Sequence, residues 1–416
     1  MLNISANKKR IFIIPLLFIL ILLTTATSCK TRGTDVSINT RSTNISTGFS
    51  EGEIEAFNFV SSMKIGWNLG NTLDAHNNLD PHETGWGNPR ATQELMNGVA
   101  AQGFGAVRIP VTWGFTIIDE EDYLIETWWM NRVATVVDYV LKAGMKAIIN
   151  IHHDGADSYY WLSVKNVDLS GPNKTAIDEK FTAVWRQIAE RFKDVGEDLL
   201  FEAFNELHDG SWGNGNAAQH RRVNELNQIF VDTVRSVGGK NSDRYLVIPG
   251  WVTRPSVTVS ALVMPKDTIE NRQIVAFHYY DPYDFSGSAN FRTWGSKVNA
   301  RGNANEGYLR NTFDSVRKRF VDNGIPVILG EYGAVNQSGD AFKYRKYYME
   351  YVTKYAHDCK FIPFYWDNGG FGYGSEKFGL LNRADGTPYD SNAREILAVM
   401  MKAVNEDYDI SSIIAP

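Results

Sequence analysis

Short apolar runs alternate along the chain with longer stretches in which apolar residues recur at helical spacing. Each run is bounded by Gly, Pro, Asn or Asp, and those at 147–149 (AII) and 327–329 (VIL) are continuously apolar. Such runs are typical of parallel strands that helices cover on the outer face of the sheet. The pattern predicts eight strands, at residues 64–69, 106–111, 147–152, 199–205, 245–249, 274–279, 326–330 and 361–366.

Helical periodicity fills most of the intervening stretches. The predicted helices span residues 91–103, 128–143, 176–193, 218–237, 307–323, 341–355 and 393–403. Gly103, Gly144 and Gly324 stand where three of these helices end, as C-terminal capping glycines do. The stretch around Pro255 and Pro265 has little periodicity, so we expect an irregular connection there.

Eight strand-helix units predict an α/β protein of the (β/α)₈ TIM-barrel class. The alternative is an open, doubly wound sheet. That fold typically has a glycine-rich phosphate-binding loop after the first strand. Gly66 and Gly70 do not have the required spacing, so the closed barrel is favoured.

The N-terminus has the pattern of an export signal. Basic residues at 8–10 precede an apolar run at 11–23, which is shorter than the about 20 residues of a membrane-spanning helix. The small residues that end at Cys29 resemble a bacterial lipobox, although Ala26 stands where leucine is usual. We therefore expect residues 1–28 to be a lipoprotein-type signal peptide, with ordinary signal-peptide cleavage as the alternative.

The segment at 29–51 is rich in Ser, Thr, Asn and Gly and is expected to be a flexible tether. Residues 52–416 then form a single catalytic domain, a size that α/β barrels reach as one unit. We expect an exported protein that is lipid-anchored to the bacterial cell envelope, at the outer membrane or cell surface, or secreted. The other cysteine is Cys359, so an internal disulfide would require an unlipidated Cys29.

Composition and net charge limit the classes of molecule that the protein is expected to bind. The net charge is −6 and the chain has no basic cluster beyond the signal, which argues against nucleic acid. Aromatic residues make up 12% of the chain, with 11 Trp, which fits both a large core and stacking on sugar rings. We expect membrane contact only through a lipidated Cys29, and a monomer.

Polar residues stand at the ends of nearly all the predicted strands, where the catalytic groups of such barrels lie. They are Arg108, His152, His153, Asp154, Asn205, Glu206, His278, Tyr280, Glu331, Trp366, Asp367 and Asn368. A lone glutamate is usually solvated, and an arginine inside a barrel is usually an ion-pair partner. Burying Arg108 with two glutamates at one mouth is costly unless they pair, and such clusters mark functional sites.

Glu206 and Glu331 suit the cleavage of a glycosidic bond. One carboxyl must be protonated to serve the leaving oxygen, and the other must be ionised. A separation of about 5–5.5 Å gives retention of configuration, and about 6.5–9.5 Å gives inversion.

Eight segments in order together resemble glycoside hydrolase family five, over roughly residues 60–400. They are GWNLGNTLDA (66–75), ETGWGNP (83–89), VRIPVTW (107–113), NIHHDG (150–155), FEAFNEL (201–207), AFHYYDP (276–282), LGEYGA (329–334) and PFYWDNG (363–369). The resemblance implies a retaining enzyme with Glu206 as acid/base and Glu331 as nucleophile. It also implies that Arg108 and Tyr280 hydrogen-bond the nucleophile and lower its pKa, and that Asn205 binds the sugar 2-hydroxyl.

The resemblance further implies that His152 and His278 line the subsite and that Trp366 forms the platform under the sugar. His152 is preferred over His153 because neighbours on a strand point to opposite faces. Asn68, with Asn71 and 82–88, resembles a subgroup active on plant β-glucans. Six further tryptophans could extend a cleft, or could equally be packing residues: Trp86, Trp113, Trp161, Trp212, Trp251 and Trp294.

The expected function is a secreted, retaining endo-β-1,4-glycanase acting on cellulose, mixed-linkage glucan or xyloglucan, without cofactor or metal. A mannanase or xylanase on the same scaffold is the alternative. Two other classes are a non-catalytic carbohydrate-binding barrel and a metal-dependent hydrolase with ligands His152, His153 and Asp154. Adjacent strand histidines diverge, which disfavours a shared ion.

Overall fold

The structure is a computed structural model that describes residues 48–77, 81–119, 121–155, 161–164, 171–298 and 304–416. The expected signal peptide, Cys29 and the tether as far as residue 47 lie outside the described residues. Eight parallel strands close into one barrel in sequence order. They are β1 Gly66–Leu69, β2 Ala106–Ile109, β3 Lys146–Asn150, β4 Leu199–Glu202, β5 Leu246–Pro249, β6 Gln273–Tyr279, β7 Val327–Tyr332 and β8 Phe361–Asp367.

The helices of the described residues surround this barrel. They are α1 Glu51–Ser61, α2 Gln93–Ala101, α3 Thr127–Lys142, α4 Pro172–Arg191, α5 Ala217–Val237, α6 Pro255–Ala261, α7 Tyr283–Ser286, α8 Glu306–Arg319, α9 Ala341–Asp358 and α10 Ser391–Asn405. Within the described parts of the chain, no helix is both long and apolar enough to cross a bilayer.

The eight-strand barrel is confirmed, and the capping glycines have the positive φ that ends a helix: 99° at Gly103, 78° at Gly144 and 83° at Gly324. The irregular stretch after β5 holds a 3₁₀ turn at Trp251–Thr253 and the short α6. Helix α1 differs from the sequence prediction, which extends the tether to residue 51. Ser50 and Glu53 form a reciprocal capping box that starts this helix.

Two layers fill the barrel interior. Ala106, Ile148 and Leu200 belong to an apolar cluster that also contains Ala56 and Val60 of α1. Alternate residues of a strand face the same way. The next inward positions, toward the carboxyl ends of the strands, are therefore polar: Arg108, Asn150 and Glu202, all buried.

A bulge in β7 places the last carboxylate of the site. Phe277 pairs with Leu329, but His278 pairs with Glu331, so Gly330 is the extra residue. A Cβ at Gly330 would lie 3.1 Å from Nε2 of His278, so glycine allows the histidine to pack against the bulge. The bulge brings Glu331 level with His278 at the barrel mouth.

Candidate active site

A cavity of about 610 Å³ opens at the carboxyl ends of the strands, and Glu206 and Glu331 both line it. One carboxylate oxygen of each lies within 4.8 Å of the other and of a ring nitrogen of His278. Glu331 is 6% exposed, and Glu206 is half-buried. Strand β4 ends at Glu202, not at 205 as predicted, so Asn205 and Glu206 stand on the loop that follows it.

Arg108 connects the nucleophile candidate to three other side chains. Its guanidinium donates to Glu331 Oε1 at 2.7 Å, Glu202 Oε2 at 2.6 Å, Asn205 Oδ1 at 2.8 Å and Asn68 Oδ1 at 3.0 Å. All of these groups are buried. The planar guanidinium thus fixes side chains from β1, β7 and the end of β4 relative to one another.

Each carboxyl of the pair has its own hydrogen-bond partners. Tyr280 Oη donates to Glu331 Oε2 at 3.0 Å, which leaves each oxygen of Glu331 with a donor. Glu206 Oε1 lies 2.5 Å from His278 Nδ1 and 3.3 Å from Thr253 Oγ1. The expected contacts of Arg108 and Tyr280 with Glu331 are therefore present in the structure.

The pKa values show a correction to the sequence expectation. Burial raises the pKa of Glu206 and also that of Glu331, and the charge of Arg108 opposes this rise in both. Arg108 therefore does not bring the pKa of Glu331 below its usual value, because desolvation of a carboxylate outweighs it.

The partners still distinguish the two carboxyls. Burial lowers the pKa of His278 to about 4, so this ring is neutral at neutral pH. Glu331 is bonded to the permanently charged Arg108, whereas Glu206 has the neutral His278 and Thr253. The two carboxyls therefore differ in their hydrogen-bond partners, while burial raises the pKa of both.

Seven of the nine residues predicted for the site line the cavity. They are His152, Asn205, Glu206, His278, Tyr280, Glu331 and Trp366. The rings of His152 and Trp366 lie parallel, with centroids 5.9 Å apart. His153, which the sequence ranks below His152, also lines the cavity, because it lies in a short 3₁₀ turn after β3 where strand alternation no longer applies.

Asn68 and Arg108 are placed differently from the predicted substrate contacts. Both are 0% exposed and lie below the cavity. The Asn68 amide donates to the carbonyl oxygens of Gly330, Phe364 and Tyr365 and accepts from Arg108. These two side chains therefore support the bulge at Gly330 and the carboxylate of Glu331.

The six further tryptophans divide into two groups. Trp212 lines the cavity and is 53% exposed, and Trp86 is 41% exposed with its ring 5.4 Å from that of His153. Of the other four, Trp113, Trp251 and Trp294 are buried, and Trp161 is half-buried with its indole N–H donated to Asp154. Packing is therefore the interpretation that fits these four.

The metal-dependent alternative requires Asp154 as a ligand together with His152 and His153, but the structure uses Asp154 elsewhere. Asp154 accepts hydrogen bonds from the backbone of Trp113 and Gly114 and from Trp161, so it anchors a loop. Asp74 instead brings a carboxylate oxygen within 4.8 Å of ring nitrogens of His152 and His153. The Asp74 oxygens already accept the backbone N–H groups of Asn71 and Thr72, at 3.0 and 2.6 Å.

Sequence reasoning missed several residues that the structure brings to the site. Glu202 is 0% exposed and shares Arg108 with Glu331; a glutamate inside the apolar run LLFEAF is the signal that could have revealed it. Thr253 contacts Glu206 from the turn after β5. Tyr283 and Glu376 meet at the rim, where Tyr283 Oη donates to Glu376 Oε1 at 2.5 Å. No local pattern distinguishes these last three.

A closed (β/α)₈ barrel with a close carboxyl pair and an aromatic ring at its mouth is the architecture of a glycoside hydrolase. Comparison with known protein families supports this class. The chain belongs to the cellulase family, glycosyl hydrolase family 5, whose family model matches residues 70–372. The family resemblance inferred from the eight segments is thereby confirmed.

Several relatives are similar to this chain over most of their length. Endoglucanase A of Paenibacillus barcinonensis is 38% identical over 360 residues, which cover 82% of this chain and 88% of that protein. The xyloglucan-specific endo-β-1,4-glucanase of Bacteroides ovatus is 38% identical over 371 residues, with 84% and 70% covered.

Solved structures are similar in fold as well. A Bacteroidetes-affiliated cellulase linked with a polysaccharide utilization locus superposes with a TM-score of 0.84 and 40% identity, covering 86% of this chain and 96% of that one. A GH5-4 broad specificity endoglucanase from Bacteroides salanitronis has a TM-score of 0.81 and 44% identity, with 84% and 95% covered.

Proposed function

We propose that this enzyme is an endo-β-1,4-glucanase that hydrolyses β-1,4-linked glucan with retention of configuration. The observation that carries the proposal is the carboxyl pair: oxygens of Glu206 and Glu331 lie within 4.8 Å of each other. Retaining enzymes hold their carboxyls about 5–5.5 Å apart, whereas inverting enzymes need room for a water. The endoglucanase relatives support the substrate class.

In the first step the ionised Glu331 attacks the anomeric carbon while Glu206 gives its proton to the leaving glycosidic oxygen. The carbon–oxygen bond breaks and a covalent glycosyl-enzyme forms. In the second step Glu206, now ionised, takes a proton from water. That water attacks the anomeric carbon and displaces Glu331, which restores both carboxyls.

The neighbouring groups favour the transition state of these steps. Asn205, oriented by Arg108, is proposed to bind the 2-hydroxyl, a contact that strengthens as positive charge develops on the sugar. Trp366 is proposed to support the ring from one side. Tyr280 donates to Glu331 and holds it in line for attack.

Cellulose, mixed-linkage glucan and xyloglucan are the proposed substrates. The names of similar proteins include a xyloglucan-specific endoglucanase, broad specificity endoglucanases and a lichenase. A mannan or xylan preference would require other contacts, since mannose differs from glucose in the orientation of one hydroxyl and xylose lacks the hydroxymethyl group.

Product analysis on cellulose derivative, barley glucan, xyloglucan, mannan and xylan tests this proposal, with NMR reading the first-formed anomer. Oligosaccharides of β configuration from the glucans are expected. Products from mannan or xylan alone, or initial α-anomers, would overturn the substrate or the stereochemistry respectively.

We also propose that the enzyme is exported and lipid-anchored through Cys29. The support is the sequence pattern at residues 1–29. Mass spectrometry of the mature N-terminus and fractionation of a Cys29→Ser variant test the anchor. A wild-type protein that is soluble and cleaved elsewhere would contradict it.

A further inference from the structure

The turn after β5 holds two strained residues beside Glu206. Val252 and Thr253 have φ of 46° and 48°. β-Branched side chains rarely adopt this left-handed conformation, because they clash with the backbone there. Such strain persists only when the surroundings enforce it, and it clusters at functional sites.

The surroundings of this turn tie it to the acid/base loop. The Val252 N–H donates to the carbonyl of Leu207, the residue after Glu206, at 3.0 Å. The Thr253 N–H donates to the Gly250 carbonyl at 3.1 Å, and Thr253 is 0% exposed. The strained backbone therefore sets where the Thr253 hydroxyl lies relative to Glu206.

The hydroxyl has two acceptors within reach. Thr253 Oγ1 lies 3.3 Å from Glu206 Oε1 and 2.7 Å from the Val252 carbonyl oxygen. His278 Nδ1 lies 2.5 Å from the same carboxylate oxygen. Among the residues that the structure describes, the hydrogen-bonding side chains contact Glu206 at Oε1, and Oε2 is the oxygen that faces a substrate.

We propose that Thr253 is a positioning residue for the acid/base, whose hydroxyl holds Glu206 Oε1 so that the transferable proton resides on Oε2. The inference rests on the proposed function, since it takes Glu206 as the acid/base. While Glu206 is protonated on Oε2, the hydroxyl donates to the carbonyl oxygen Oε1. This hydrogen bond strengthens after the proton has gone to the leaving group, because Oε1 then belongs to an ionised carboxylate.

Several other groups also influence the titration of Glu206. The titratable and charged side chains that face it are Arg108, His153, His208, His278, Tyr280, Tyr283 and Glu331. None of them changes in the variants below. A shift in the pH profile therefore reports the Thr253 hydroxyl.

The test compares Thr253→Val, which keeps the β-branched shape, with Thr253→Ser, which keeps the hydroxyl. Aryl β-cellobiosides with phenol and with 2,4-dinitrophenol as leaving groups are the substrates. Thr253→Val should lower kcat/KM for the phenyl substrate by about tenfold, the value of one weakened hydrogen bond to a charged group. The dinitrophenyl substrate needs no proton and should be hydrolysed as by wild type.

The pH profile gives a second readout. The alkaline limb of kcat/KM should move upward by about half a pH unit, because a donor to the ionised carboxylate is lost and the pKa of Glu206 rises. Thr253→Ser should restore both readouts. Thr258→Val is the matched control, because this buried hydroxyl of α6 has no hydrogen-bond partner among the described residues.

Equal losses on the two substrates, or an unmoved alkaline limb, would show that Thr253 is only structural and overturn the inference. Glu206→Ala separates this outcome from a failure of the proposed function. That variant should lose the phenyl substrate and spare glycosylation by the dinitrophenyl one. If it loses both alike, the acid/base assignment fails, whatever Thr253 does.

Discussion

Replacing Arg108 by lysine separates the charge of this residue from its geometry. The guanidinium serves four acceptors at once, on Asn68, Glu202, Asn205 and Glu331, at 2.6 to 3.0 Å. A lysine ammonium keeps the positive charge but is a single point donor on a flexible stem. It can pair with the two carboxylates, and the amide oxygens of Asn68 and Asn205 then lose their donor.

The magnitude follows from those two acceptors. A buried acceptor left without a donor costs about 1–3 kcal/mol, so the variant should lose about 2–6 kcal/mol of the about 5–15 kcal/mol that stabilises a typical domain. Catalysis suffers because Asn205 and Glu331 are no longer held by one rigid group. At about 1.4 kcal/mol per factor of ten, one displaced contact at each residue lowers kcat/KM by about 100-fold.

Urea denaturation and kcat/KM on a soluble β-glucan measure the two effects of Arg108→Lys. Arg235→Lys is the matched control, because Arg235 also forms a buried two-pronged pair, with Asp267 at 2.8 Å, but at the end of α5 away from the cavity. It should lower stability and leave kcat/KM unchanged. Wild-type activity in Arg108→Lys, or an equal loss of activity in the control, would refute the reasoning.

Four further outcomes are expected. Glu331→Gln should lower turnover by about 10⁴-fold or more with little change in unfolding midpoint or cellotetraose binding; substantial residual turnover would exclude the nucleophile role. The pH profile of kcat/KM should be bell-shaped, because activity falls at low pH as Glu331 is protonated and at high pH as Glu206 ionises. Both limbs should lie above the usual pKa of a carboxyl group, because burial raises both pKa values. The alkaline limb should vanish with a dinitrophenyl substrate, which needs no proton. Trp366→Ala should lower kcat/KM by about tenfold through lost stacking, an effect absent in the buried-tryptophan control Trp294→Phe. Dialysis against a chelator should leave activity intact, and a loss restored by a divalent ion would revive the metal alternative.

The order of strands and helices could be predicted because local patterns carry it. Apolar runs, helical periodicity and capping glycines such as Gly144 depend on near neighbours in the chain. The strand-end rule then located Glu206 and Glu331 at one mouth, because parallel strands bring their carboxyl ends together.

The sequence by itself determined the barrel, its family and the placement of Glu206 and Glu331 at the barrel mouth, since these follow from residue types at short range. Only the tertiary structure decided that Asn68 lies beneath the cavity, that Glu202 shares Arg108 with Glu331, and that Thr253 reaches Glu206. These are contacts between different strands and loops, and their distances are set by barrel closure and by the bulge at Gly330. The sign of the pKa shift of Glu331 likewise depends on burial, which belongs to the whole fold and not to any segment.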